Sequence, residues 1–216
     1  MENVLLGPKW EPQEKINQLV IFLHGYGANG NDLIDISNQW KDLLPNTAFI
    51  SPDAPFLCEV NGMGRQWFGL ESFDNDRLFA GAKTAAPILD QFIQQQIDHY
   101  KIKQEKIALV GFSQGAMMAL HVGLRQDNML GGIIGYSGAL LGSAHLEQEI
   151  KSSPPILLVH GKLDSVVPYD SLTYAEKKLS ALGLKVEILT CPFLAHGIDY
   201  EGIKKGGEFL RKIFFD

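Results

Sequence analysis

Ile107-Ala108-Leu109-Val110-Gly111-Phe112-Ser113-Gln114-Gly115-Ala116 is the stretch whose reading decides the fold. An apolar, partly β-branched run ends in Gly-x-Ser-x-Gly, and a helix-forming segment follows at once. That order spells a strand, a sharp turn and a helix. A turn of this kind lifts a serine hydroxyl above the carboxyl edge of a parallel sheet and sets it at the N-terminus of a helix. The glycines two before and two after the serine carry no Cβ, so strand and helix can approach closely. The motif alone recurs by chance, and its weight comes from its surroundings.

Apolar runs of the same kind recur at residues 19–23, 48–51, 132–136, 156–159 and 186–190, alternating with helical patterns. Most are continuously apolar, as parallel strands covered on both faces should be. Residues 4–6 are expected to add an antiparallel edge strand. Helical periodicity covers 32–44, 77–100, 114–125, 171–182 and 200–213. Leu78, Ala82, Ala85, Leu89 and Phe92 share one face of the longest of these. Pro87 removes an amide donor inside it and is expected to kink it or mark a restart. Strand and helix in alternation predict an α/β fold, a mostly parallel sheet with helices on both faces. The 216 residues are expected to form a single domain, 1–216, with no insertion long enough for a large lid.

Composition narrows the function. Hydrophobic residues make up 45% and charged residues 20%, ordinary values for a globular chain. A net charge of −6 without a basic stripe speaks against a nucleic-acid partner. No apolar run approaches the ~20 residues that span a bilayer. Residues 1–8 lack a basic n-region and hold only a very short apolar stretch, so a cytoplasmic location is expected. Cys58 and Cys191 form neither a metal spacing nor a disulfide framework and read as thiols in a reducing compartment.

In open α/β sheets, function gathers beyond the carboxyl ends of the strands. After 19–23 comes His24-Gly25-Tyr26-Gly27-Ala28-Asn29-Gly30. Its Gly-x-Gly-x-x-Gly spelling formally fits a dinucleotide loop, but no acidic residue closes the next strand, which runs into Pro52 and Pro55. In a hydrolase such a loop supplies a main-chain N–H to an oxyanion hole. His24 then reads as structural, bonded within the loop. After 156–159 comes His160-Gly161-Lys162-Leu163-Asp164. Asp164 is the acid close behind that strand, and His160, which precedes it, is expected to pack the loop. After 186–190, His196 lies in a loop ahead of the last helix. Ser113, Asp164 and His196 thus follow three different strands in the order Ser…Asp…His that a hydrolase triad on this architecture requires.

The chain resembles the phospholipase/carboxylesterase family of α/β-hydrolases, the group that includes acyl-protein thioesterases. The resemblance runs from about Leu19 to Phe214. It rests on His24-Gly25-Tyr26-Gly27, Arg65-Gln66-Trp67-Phe68, Gly111-Phe112-Ser113-Gln114-Gly115, Ser137-Gly138, His160-Gly161-Lys162-Leu163-Asp164 with Val167-Pro168, and His196-Gly197. It implies an α/β-hydrolase fold, with Ser113 as nucleophile, His196 as base and Asp164 as the acid that orients it. It also implies an oxyanion hole from the main-chain N–H groups of Leu23 and Gln114, and, among its bacterial-type members, a homodimer. Ala116 and Ala195 stand where the family often has glycine.

These residues point to a serine esterase needing no metal and no organic cofactor, acting on a small-molecule acyl ester or thioester. Acyl-protein thioesterase and lysophospholipase use the same triad and differ in what the groove accepts. A non-catalytic binding protein on this fold commonly lacks a triad residue, and none is missing here. A peptidase is a further option, but no distinctive specificity pocket is legible. For the pocket, loop 56–73 offers Met63, Trp67, Phe68 and Leu70 as a wall, with Trp67 foremost. Leu163, Val166, Phe193 and Leu194 flank the acid and base and are expected to complete an apolar groove for short to medium acyl chains.

Overall fold

The computed structural model describes residues 5–60, 62–70 and 74–216, and among these seven strands form the main sheet. Their order is β1 (Lys9–Trp10), β3 (Thr47–Ile50), β2 (Gln18–Leu23), β6 (Ile107–Phe112), β7 (Gly132–Tyr136), β8 (Ile156–Gly161) and β9 (Val186–Cys191). A separate hairpin pairs β4 (Phe56–Leu57) with β5 (Arg65–Gln66). Every pairing in the main sheet is parallel except β1 on β3.

Side-chain alternation divides the core between the two faces of the sheet. Leu19, Ile21 and Leu23 of β2 pack on one side with Leu109 of β6, under α3 (Asn75–Tyr100), α4 (Gln114–Gly123) and α6 (Asp170–Ala181). The short α5 (Leu146–Glu149) adds Leu146 to the same cluster. Val20, Phe22, Ala108 and Val110 point the other way, under α1 (Asn31–Ile34), α2 (Ser37–Trp40) and α7 (Tyr200–Phe215). The central strands β2, β6, β7 and β8 are apolar along almost their whole length, Gln18 and His160 excepted, because both faces are covered. Each buried Leu, Ile or Val side chain contributes about 1.5–3 kcal/mol.

Three details depart from the sequence reading. The antiparallel edge is β1, not residues 4–6. Residue 4 lies outside the described residues, and Leu5 and Leu6 form no strand. The carbonyls of Leu6 and Pro8 accept from the N–H groups of Asp53 (2.8 Å) and Ser51 (3.0 Å). The ladder proper starts only past Pro8, which has no N–H to donate. Residues 32–44 form two short helices instead of one. Bonds of the i→i+3 type, from Ile36 N–H to the Leu33 carbonyl and from Gln39 N–H to the Ile36 carbonyl, tighten the junction. Leu33, Ile36, Trp40 and Leu44 still present one buried face. Helix α3 runs unbroken through Pro87, which lies on the exposed side, where water can reach the carbonyl left without a donor. Among the described residues no helix is long and apolar enough to cross a membrane.

One core group makes stability depend on pH. His121 of α4 is buried against the Phe79 ring, and its Nδ1 has no hydrogen-bond partner among the described residues. Burial first, then the Arg125 guanidinium, pull this imidazole down to about 4 from the ordinary 6.5. The unfolded chain therefore takes up the proton near pH 6.5 and the folded chain only near pH 4. Between these values the unfolded state binds more protons, so stability falls as the pH drops through that window. His121→Met is expected to flatten the fall by roughly 3 kcal/mol, read from urea unfolding at pH 7 and pH 4. An equally steep fall in the variant would contradict this.

Candidate active site

Strand register sets where each loop emerges. Leu23 pairs with Gly111, Gly111 with Gly135, Gly135 with Leu158, and Leu158 with Ile188. The loops leaving β2, β6, β7, β8 and β9 therefore open along one edge, the place where α/β sheets bind ligands.

Ser113 sits on the turn from β6 to α4 at φ 53° and ψ −116°. For a residue with a Cβ, that left-handed backbone costs of order 1–3 kcal/mol. The surroundings hold it there. Its N–H donates to the Tyr136 carbonyl at 2.9 Å, and its carbonyl accepts from Ala116 and Met117 at 3.0 and 3.1 Å. The flanking glycines are required sterically. A Cβ at Gly115 would lie 1.8 Å from the Leu23 carbonyl oxygen, and one at Gly111 would lie 2.3 Å from the Gly115 carbonyl.

The loop after β9 brings His196 to this serine, with Nε2 3.1 Å from Ser113 Oγ and Nδ1 2.8 Å from Asp164 Oδ2. The other carboxylate oxygen of Asp164 accepts from the N–H groups of Val166 and Val167, each at 2.9 Å. Burial alone would raise the Asp164 carboxyl, but the bond to His196 and the two main-chain donors overcome it and hold the group below the usual carboxylate range. Asp164 is thus an ionised acceptor. It fixes the proton on Nδ1 and leaves Nε2 free to accept from the Ser113 hydroxyl. The three side chains taken from the sequence therefore form one hydrogen-bonded chain, able to carry a proton away from the serine.

Neighbouring groups brace it. His160 Nε2–H donates to the Val167 carbonyl at 2.9 Å and lies 3.3 Å from Asp164 Oδ2, a packing position rather than a rival base. Ser137, at φ 48° just past β7, donates from Oγ to the Gly197 carbonyl at 3.3 Å and so tethers the histidine loop. Its residue pair Ser137-Gly138 was visible in the sequence without a role. Buried His24 donates from Nδ1–H to the Gly25 carbonyl (2.7 Å) and accepts at Nε2 from Ala54 N–H (2.9 Å). Burial lowers its pKa and favours that neutral form.

Ser113 and His196 open on a cleft of about 970 Å³. Its apolar walls come from Leu78, Met117, Leu140, Leu141, Val166 and Val167, with Leu70 at one side. Of the wall residues expected from the sequence, Val166 and Leu70 are there. Trp67 and Phe68 are not, being 0% and 3% exposed within the core. Met63, Leu163 and Phe193 point to solvent, at 89%, 59% and 92% exposure, and Leu194 packs against the core on the α7 side. The rings of Trp67 and Phe68 fill the interior, and the walls come from α3, α4 and the segments after β7 and β8. Residues 61 and 71–73 of that loop lie outside the described residues.

Leu23 was expected to offer its main-chain N–H to the site. It is fully buried inside β2 and does not reach the cleft. Tyr26 and Gln114 line the cleft beside Ser113, and the main-chain N–H of neither has an acceptor among the described residues. A Cβ at Gly25 would lie 3.4 Å from Ser113 Cβ, which places the Gly25-Tyr26 turn against the serine.

A mostly parallel sheet, helices on both faces and a serine on the strand-to-helix turn define an α/β-hydrolase. Residues 10–214 match the phospholipase/carboxylesterase family, and the chain belongs to that family, as an enzyme of the carboxylesterase class. Esterase PE8, known from its crystal structure, is 40% identical with a TM-score of 0.94, over 97% of this chain and 99% of its own. Acyl-protein thioesterase 1 of Gibberella zeae is 32% identical over 210 residues, 89% of this chain and 89% of its own. Esterase YpfH of Escherichia coli is 26% identical over 211 residues, 95% of this chain and 88% of its own.

The close approach of α4 to β2 has a direct consequence. Gly115→Ala is expected to lower stability by about 2 kcal/mol or more, as overpacking against unyielding backbone does. A melting temperature equal to that of the wild type would contradict it.

Proposed function

We propose that this enzyme hydrolyses carboxylic esters of short to medium acyl chains through an acyl-enzyme on Ser113. The observation that carries the reading is the continuous hydrogen-bonded chain from Ser113 through His196 to Asp164, opening on an apolar cleft. His196 Nε2 takes the hydroxyl proton as Ser113 Oγ attacks the acyl carbon, then gives it to the departing alcohol. Asp164 holds the required tautomer and stabilises the imidazolium. Water attacks the acyl-enzyme in the second half, with His196 again the base.

The oxygen that gains charge during attack is met by main-chain N–H groups of Gln114 and Tyr26, the latter taking the place the sequence reading gave to Leu23. Gln114 is also the first residue of α4, so the positive end of that helix lies behind it. The acyl chain lies along Leu78, Met117, Leu140 and Leu141, where it displaces water from an apolar surface.

Thioester cleavage is the second reading. It is favoured by the similarity to a protein named acyl-protein thioesterase 1 and by the same triad geometry, since a thiol leaves in place of an alcohol. Values of kcat/KM for an aryl ester series, a lysophospholipid and an S-acyl peptide rank these substrates.

Ser113→Ala is expected to fold normally and to lose on the order of 10⁶ in turnover, and Asp164→Asn about 10⁴. Ester hydrolysis by Ser113→Ala at the wild-type rate would overturn the assignment. Leu141→Trp is expected to move the optimum of the acyl series to shorter chains while acetyl ester turnover is retained. An unshifted optimum would mean that the chain lies elsewhere.

A further inference from the structure

The two residues whose N–H groups are assigned to the oxyanion sit on different segments, Gln114 on α4 and Tyr26 in the loop after β2. A path of buried side-chain hydrogen bonds joins them. The Gln114 carboxamide uses both ends. Its Oε1 accepts from the Trp67 main-chain N–H at 2.8 Å, and its Nε2 donates to the Phe68 carbonyl at 2.7 Å. The Trp67 indole N–H then donates to the His24 carbonyl at 3.1 Å. His24 in turn holds the Gly25 carbonyl and the Ala54 N–H through its two ring nitrogens.

The far side of Tyr26 is tied to the same strap. Gly27 N–H donates to the Arg65 carbonyl at 2.8 Å, and Arg65 N–H donates to the Ala28 carbonyl at 2.7 Å. Tyr26 is therefore bracketed by residues 24 and 27–28, both anchored on residues 65–67. That strap is anchored in its turn on the side chain of the residue after the nucleophile. Gln114, Trp67 and His24 are 1%, 0% and 0% exposed, so each bond in the path is shielded from water, and no solvent molecule can replace a lost partner at low cost.

We infer that the Gln114 carboxamide and the Trp67 indole N–H are positioning residues for the reaction. Together they set the Tyr26 N–H relative to the Gln114 N–H so that both donors meet one developing oxyanion. The inference rests on the serine-hydrolase reading above and extends it to side chains that touch no substrate. Trp67 serves the chemistry from within the core, not as a wall of the pocket. Hydrogen-bond donors to an oxyanion act only when aimed where charge develops, and a displacement of about 1 Å costs as much as 10²-fold in rate.

The test is steady-state ester hydrolysis by wild type, Ser113→Ala, Gln114→Met, Trp67→Phe and the Gln114→Met/Trp67→Phe double variant, each first shown to be folded by circular dichroism and assayed well below its melting temperature. Both single variants are expected to lose about 10- to 100-fold in kcat with KM nearly unchanged, the pattern of an interaction made only in the transition state. The double variant is expected to be about as slow as the slower single, because both act through one path. A folded Trp67→Phe with wild-type kcat, losses confined to KM, or effects that multiply in the double variant would each overturn the inference. If Gln114→Met yields no folded protein, the kcat of Trp67→Phe decides alone. Turnover by Ser113→Ala at the wild-type rate would remove the hydrolase reading and this inference with it. An inactive Ser113→Ala beside an unimpaired Trp67→Phe would remove this inference only.

Discussion

No Cβ fits between the first turn of α4 and the Leu23 carbonyl, and the rest of the site follows from that constraint. With glycine at 115, α4 settles against the end of β2, and β6 must reverse within a few residues to reach it. The reversal drives Ser113 into a left-handed backbone and raises its hydroxyl clear of both elements. The strain is sustained by neighbours that are themselves fixed: the Tyr136 carbonyl of β7 holds the serine N–H, and α4 holds the serine carbonyl. A rigid parallel sheet is what makes such an arrangement reproducible, since its central strands are locked by apolar packing on both faces.

Electrostatics completes what packing begins. The Asp164 side chain is wholly buried, whereas that of His196 keeps 19% of its surface exposed. A carboxylate in that position is stable only because it accepts from an imidazole and two main-chain donors. Its charge is consequently spent on orienting His196 and not on the substrate. The cleft beyond the serine is mostly apolar, and there a fixed donor acts more strongly than in water. One side of the serine is therefore a preorganised polar array, and the other is a surface suited to an acyl chain.

Much of this was legible in the chain. The strand runs 19–23, 107–110, 132–136 and 156–159 stood out because two-sided burial demands continuous apolarity, which local sequence records directly. Ser113 and Asp164 stood out because each follows such a run, and His196 because it follows the strand pattern at 186–190. The walls of the cleft did not. Leu140 and Leu141 lie in an unremarkable turn after β7, and nothing local distinguishes a leucine facing a cleft from one facing the core. Trp67 misled for the converse reason: its bulk suggested a pocket wall, but a ring of that size is also what fills an interior, and its N–H found the His24 carbonyl there. The proposed oxyanion donor differs from the one expected because a main-chain N–H has no signature in sequence. Only the turn geometry separates Tyr26, at the cleft, from Leu23, sealed inside β2. The edge ladder begins only at Lys9 because Pro8 interrupts it.

The proposed role of the Ser113 hydroxyl as an activated nucleophile can be probed covalently. Treating the folded enzyme with a fluorophosphonate, digesting it and locating the adduct by mass spectrometry tests this most directly. The expected result is stoichiometric modification of the peptide carrying Ser113, lost when His196 is replaced by alanine. An adduct on a different serine, or an unmodified protein that still cleaves esters, would contradict it.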